Sequence, residues 1–159
     1  FVNQIKNNKP ITITDPEMTR YLMTLNESVE LVMHAFSKGT KGDIFVQKSP
    51  ACTLLDLATA LKDIFNYEKS NLIIGTRHGE KLYESLLSRE EMARVDEHGK
   101  FFRLPADNRS LNYDKFYDEG KEISKEYTEY TSHNTERLSV LQIKKLLLSL
   151  DFIKEELKK

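Results

Sequence analysis

Three places in the chain set a hydroxyl side chain three residues ahead of an acid or amide and just before an apolar stripe, and that pattern fixes where helices can begin. Thr24 with Glu27 leads into Val29, Val32, Met33 and Phe36. Thr53 with Asp56 leads into Leu57, Ala58, Leu61, Ile64 and Phe65, and Ser139 with Gln142 into Ile143, Leu146, Leu147 and Leu150. Each stripe recurs at helical spacing, so each helix is expected to turn it inward. The first helix should end near Gly39. Between the helices lie short strand-like runs at 11–14, 43–47 and 71–75, the last read as a buried strand. Residues 1–8 read as the end of a helix with Phe1, Val2 and Ile5 on one face, stopped by Lys9-Pro10, and Asp15-Pro16 turns the chain. Strand, helix, strand, helix, strand is the order of an α/β fold.

The core such a chain can build is modest, since 39% of its 159 residues are hydrophobic, enough for one domain. Net charge is −1 with 31% charged residues, so no basic field draws in nucleic acid or anionic lipid, and a purely electrostatic nucleic-acid binder is excluded. The single cysteine, Cys52, rules out an intrachain disulfide and a cysteine-based zinc site. The histidines at 34, 78, 98 and 133 lack metal spacing, so no metal is expected. No apolar run reaches the roughly 20 residues of a membrane helix and no signal-peptide pattern is present, so no membrane partner and a cytoplasmic location are expected. The chain opens on Phe1 in mid-helix phase, without an initiator Met or a cap, and reads as the carboxyl-terminal piece of a longer protein.

Past Ser88 the pattern loosens into a charged helical piece at 89–95, a turn near Gly99 and a strand-like run at 100–104. Residues 107–136 are polar, with Tyr113, Tyr117, Tyr127 and Tyr130 among acids and lysines. Such a stretch has little to bury and is expected to be an extended arm or flap that orders against a partner surface. The expected division is an α/β domain at 1–106, the arm at 107–138 and a terminal helix at 139–159. The arm and the terminal stripe suggest subunit contacts, hence a homo-oligomer.

One run carries chemistry. Ile74-Gly75-Thr76-Arg77-His78-Gly79-Glu80-Lys81-Leu82-Tyr83-Glu84 places a fixed cation and two acids on a turn after an apolar strand. Gly75 and Gly79 permit a sharp turn, and 81–87 resumes helical spacing through Leu82, Leu86 and Leu87. Arg77 then leaves the carboxyl edge of a strand, where open α/β sheets bind ligands. Its planar fork stays charged and pairs bidentately with phosphate oxygens, while Glu80 and Glu84 can accept bonds from sugar hydroxyls. A surface Arg-Glu-Lys cluster at a helix start fits the same spacing.

Three segments together resemble the carboxyl-terminal part of bacterial nucleotide-sugar dehydratases and epimerases of the extended short-chain dehydrogenase/reductase superfamily. The likeness is to capsular polysaccharide proteins of the CapD/CapE type. The segments are Thr14-Asp15-Pro16-Glu17-Met18-Thr19-Arg20, then Gly42-Asp43-Ile44-Phe45-Val46-Gln47-Lys48 leading to Gly75-Thr76-Arg77-His78-Gly79-Glu80-Lys81, and last Tyr130-Thr131-Ser132-His133-Asn134-Thr135-Glu136-Arg137-Leu138. The resemblance implies a small mixed α/β substrate-binding domain whose amino-terminal Rossmann part is absent. It further implies a UDP-sugar partner and an intact enzyme that uses NAD(P) to take a hydride from C4 and later return it. UDP-N-acetylglucosamine 4,6-dehydratase is the leading activity and a 4-epimerase the alternative. A non-catalytic binding or assembly module is the alternative for the isolated chain. The implied substrate-binding residues are Arg77 on the diphosphate, Glu80 near the ribose, Arg20 facing the pocket, Lys81 and Thr19. Arg20 could instead hold Asp15 or Glu17 in a turn, and His78, His133 and Asn134 could be ordinary loop residues.

The apparatus of that chemistry does not appear in the sequence. The six glycines form no G-x-G-x-x-G run, so no cofactor-binding residue is expected here. NAD(P) would be held chiefly by an amino-terminal domain. Tyr117 and Lys121 have the spacing of the superfamily's catalytic pair, but such spacings arise by chance in a chain with 7 tyrosines, and no catalytic residue is assigned to it.

Overall fold

A computed structural model of the protein describes residues 1–106 and 127–158. The helices begin where the capping patterns place them. Thr24 accepts a bond from the Glu27 backbone N–H while Glu27 reaches back to Thr24, opening α2 (Leu25–Lys38) after the short α1 (Val2–Lys6). Thr53 caps α3 (Leu54–Ile64), Ser88 with Glu91 caps the short α4 (Arg89–Met92), and Ser139 with Gln142 caps α5 (Val140–Ser149), which Leu150, extended at ψ 129°, separates from α6 (Asp151–Glu156). Gly39 ends α2 for reasons of space rather than handedness: its φ is −79°, but a Cβ there would meet the Ala35 carbonyl oxygen at 2.6 Å and the Phe45 ring at 3.1 Å.

The strands among the described residues form four small sheets. β1 (Thr12–Ile13) pairs in parallel with β5 (Leu72–Ile73), with Ile13 opposite Ile73. β2 (Thr19–Tyr21) pairs antiparallel with β4 (Ala51–Thr53), setting Arg20 opposite Cys52. β3 (Ile44–Gln47), β8 (Phe101–Leu104) and β7 (Asp96–His98) make a three-stranded antiparallel sheet with β8 in the middle. β6 (Ser85–Leu87) pairs antiparallel with β9 (Tyr130–Thr131), with an irregularity between Ser85 and Leu87.

Among the described residues two clusters form the core. In the first, α3 and α5 pack together over β1 through Ile11, Ile13, Ala58, Leu61, Ile143 and Leu147. The second joins Leu87, Phe102, Leu104 and Tyr130, with Tyr21 and Val46 against it. Asp43 pins the end of the three-stranded sheet. Its carboxylate accepts from Arg103 Nε at 2.8 Å, from the Thr40 backbone N–H at 2.8 Å and hydroxyl at 2.9 Å, and from the Ala106 N–H at 3.2 Å.

Three expectations are corrected. Residues 81–87 do not form a helix, because their backbone groups are taken by distant partners: the Thr19 N–H donates to the Leu82 carbonyl, the Glu84 N–H to Ser132 Oγ, and the Ser132 N–H to the Glu84 carbonyl. A helix would need those same groups internally. The 71–75 run is a strand but not a buried one, since Leu72, Ile73 and Ile74 are each about half exposed. The stripe Val29, Val32, Met33 and Phe36 of α2 is not turned inward; all four are exposed, Phe36 by 82%, because the helix meets the sheet through His34, whose ring lies 4.4 Å from Phe101 and 5.3 Å from Phe45. Of the expected polar arm, residues 107–126, with Tyr113, Tyr117 and Lys121, lie outside the described residues. Within the described remainder, Tyr130, Thr131 and Ser132 are buried, held by the pairing of β9 with β6.

Candidate functional site

The loop after β5 is built to display Arg77. The Ile74 N–H continues the ladder to the Ile13 carbonyl at 2.9 Å, and then Gly75 and Gly79 adopt φ of +77° and +80°, a region that favours glycine. The Glu80 N–H donates to the Arg77 carbonyl at 3.1 Å, and Glu80 Oε2 accepts from the Arg77 N–H at 3.1 Å. Glu80 therefore sets the turn with one carboxylate oxygen. The Arg77 side chain is exposed and its guanidinium pairs with none of the described residues. His78 sits exposed on the same turn.

Arg20, on β2, ties the far side of this loop down. Its Nη1 donates to the Thr19 carbonyl at 2.7 Å and its Nη2 to the Lys81 carbonyl at 3.1 Å, while Nε lies 3.7 Å from Glu84 Oε1. Neither Asp15 nor Glu17 holds it; Asp15 instead accepts from the Glu17 N–H. Arg20 is partly exposed and is a staple between strand and loop. Lys81, also exposed, follows from the same register.

Thr19 is fully buried and cannot itself meet a ligand in the described chain. Its Oγ1 lies 2.8 Å from Ser132 Oγ and 2.7 Å from His133 Nδ1. Ser132 Oγ accepts from the Glu84 N–H at 2.9 Å. The His133 ring, itself exposed, lies 4.9 Å from the Tyr83 ring. Behind this layer the Tyr130 hydroxyl donates to the Ser49 carbonyl at 3.2 Å, and its ring packs on Tyr21 and Phe102. The three segments singled out in the sequence thus meet at one place, through β2, the 74–84 loop and the 130–137 turn. Ser132, which bonds to the other two, stands in the third segment but received no role from the sequence, because a serine in a polar run carries no periodic signal.

Two clefts share the Tyr83 and Glu129 wall. One, of about 310 Å³, is lined by Lys81, Leu82, Tyr83, Ser85 and Glu129. The other, of about 770 Å³, takes in Tyr83, Arg89, Tyr127, Glu129, His133 and Asn134. Both fall in the usual range of small-molecule sites, roughly 300–1,000 Å³. Burial, helped by the carboxylates of Glu84 and Glu129 and by Tyr130, drives the Tyr21 phenol well above its ordinary range, so Tyr21 stays protonated beside them. Burial likewise pushes the Cys52 thiol up to about 11, which makes it inert as a nucleophile. No cluster of His, Cys, Asp and Glu among the described residues is arranged for a metal ion.

The described residues form no dinucleotide cradle for NAD(P). A dinucleotide cradle needs a glycine-rich turn between a parallel strand and a helix N-terminus. Among the described residues β1 runs into Asp15-Pro16, and β5 runs into a loop that reaches β6 rather than a helix. What the site can do is hold anions with Arg77, Arg20 and Lys81, and hydroxyls with the groups around Tyr83.

Comparison with known proteins gives the same grouping. The family described as "Polysaccharide biosynthesis protein" matches residues 1–106, and "Polysaccharide biosynthesis protein C-terminal" matches 107–154. Proteins named UDP-glucose 4-epimerase from Rickettsia bellii and Rickettsia rickettsii are each 56% identical over 158 residues, and one from Rickettsia typhi is 54% identical. These alignments cover 99% of the chain and 46% of each relative, so the chain spans about half the length of the curated relatives it matches. The X-ray structure of Pen from Bacillus thuringiensis superposes with a TM-score of 0.76 at 28% identity, covering 93% of this chain and 43% of Pen.

Proposed function

The chain belongs to the polysaccharide biosynthesis protein family of the extended short-chain dehydrogenases/reductases, and from that premise we propose that it holds the UDP end of a nucleotide sugar in an enzyme acting at sugar C4. The observation that carries this reading is the presentation of Arg77: a guanidinium on a glycine turn that pairs with none of the described residues, with Arg20 and Lys81 on the strand and loop beside it. A diphosphate answers that geometry, because each charge-assisted bond contributes about 1.5–3 kcal/mol. Binding the nucleotide handle supplies affinity, and fixing the sugar against the rest of the enzyme supplies rate.

The activity proposed for the whole enzyme is 4-epimerisation of UDP-glucose or its N-acetyl form. The relatives' names support that reading over the 4,6-dehydratase, which shares the same uridine grip. NAD(P) belongs to this proposal as the cofactor of the whole enzyme, outside the residues described here. We further propose that the whole enzyme is a cytoplasmic homo-oligomer. No helix among the described residues is long and apolar enough to cross a membrane. Incubating the intact protein with UDP-glucose and UDP-N-acetylglucosamine and analysing the sugar decides between the chemistries. The galacto isomer is expected; a 4-keto-6-deoxy product would overturn epimerisation in favour of dehydration.

A further inference from the structure

The hydroxyls buried behind the candidate site form a continuous hydrogen-bonded chain. Ser132 Oγ accepts from the Glu84 N–H at 2.9 Å, and its own proton has two acceptors, Thr19 Oγ1 at 2.8 Å and the Thr19 carbonyl at 3.3 Å. Given to the nearer, it leaves the Thr19 hydroxyl proton for His133 Nδ1 at 2.7 Å. Every hydroxyl then donates along its shortest contact. Nδ1 becomes the acceptor, so in the neutral ring the proton resides on Nε2. Nε2 is bonded to none of the described residues, and the exposed His133 ring lines the larger cleft.

The wall around that nitrogen selects the chemistry of a ligand. Tyr83 and Tyr127 are 38% and 43% exposed and offer ring faces, Arg89 offers donors, and Glu90 and Glu129 offer acceptors. Among the described lining residues, one guanidinium stands against two carboxylates, a balance that disfavours phosphate. Mixed donors and acceptors beside aromatic faces suit a neutral ring bearing many hydroxyls.

We infer that His133 donates from Nε2 to a pyranose hydroxyl or acetamido oxygen in the cleft between Tyr83 and Arg89, and that Thr19 and Ser132 are positioning residues that fix its tautomer. The inference rests on the nucleotide-sugar reading for what the ring is attached to. Thr19 accordingly reaches the ligand only through His133.

The test uses the intact protein, with UDP and UDP-N-acetylglucosamine titrated separately. His133→Ala should weaken UDP-N-acetylglucosamine about tenfold, the effect of one hydrogen bond, and leave UDP unchanged. His133→Gln, whose amide nitrogen stands near the position of Nε2, should recover most of the loss. Thr19→Val should show the same split and move the His133 ring ¹⁵N shifts away from the Nε2–H pattern. Equal losses for UDP and UDP-sugar, no loss, or no rescue by Gln would overturn the inference. If the wild-type protein bound no UDP, the diphosphate reading would fail separately. Saturation-transfer NMR with free N-acetylglucosamine would still decide this one: a signal lost in His133→Ala supports it, and no wild-type signal overturns it.

Discussion

At the scale of single residues, the chain separates groups that display charge from groups that hold others still. Arg77 and Arg20 were both legible as cations within the segments that meet at the candidate site. Their division of labour was not, because it depends on which carbonyls lie within reach: Arg20 spends two nitrogens on the Thr19 and Lys81 carbonyls, whereas Arg77 spends none on the described residues. Glu80 reads in sequence as a ribose ligand, yet one of its oxygens first caps the Arg77 N–H. Thr19 was picked out by the motif around it and turns out to be buried, a fact that only the arrival of Ser132 from 113 residues away could settle. Cys52 gives a prediction at this scale. Fully buried, with its thiol pushed up to about 11, it should resist an aromatic disulfide reagent at pH 8 in the native protein and react stoichiometrically in denaturant. Fast native labelling would contradict the packing of β4 against the core.

At the scale of elements, the helices were legible because their starts are local. A hydroxyl and an acid three residues apart act on backbone groups beside them, and α2, α3 and α5 begin where that pattern stands. The faces of α2 and the state of 81–87 were not legible, since both are decided by partners remote in sequence. A moment says which side of a helix is apolar, not what lies against it. The β3–β8–β7 sheet supplies a test of such a remote contact. Arg103 beside Asp43, with the Thr40 and Ala106 donors, holds the Asp43 carboxyl well below the usual carboxylate range. A lowered native pKa means that its contribution is present above the unfolded value near 4 and lost as pH falls through the native value. The urea midpoint should therefore fall on acidification below about pH 4, and Asp43→Asn should lower it at neutral pH while flattening that part of the profile. An unchanged midpoint at pH 7 in Asp43→Asn would mean that the sheet end is not held this way.

At the scale of the molecule, two cores carry the fold and the site sits at the meeting of β2, the 74–84 loop and the 130–137 turn. Stability should follow burial rather than hydrophobicity. Ile143→Ala, at a fully buried position between α3 and α5, should cost about 2–5 kcal/mol, whereas Phe36→Ser, on the exposed stripe, should stay within about 0.5 kcal/mol in this chain. Chemical denaturation of the two variants measures both, and comparable losses would contradict the placement of α2. The central claim, that this chain holds a diphosphate through Arg77, is tested most directly by calorimetric titration of the intact protein with UDP and with uridine, before and after Arg77→Ala. The account predicts that UDP binding weakens by about tenfold to a hundredfold while any uridine binding is unchanged. UDP affinity that is the same with and without Arg77 would contradict it.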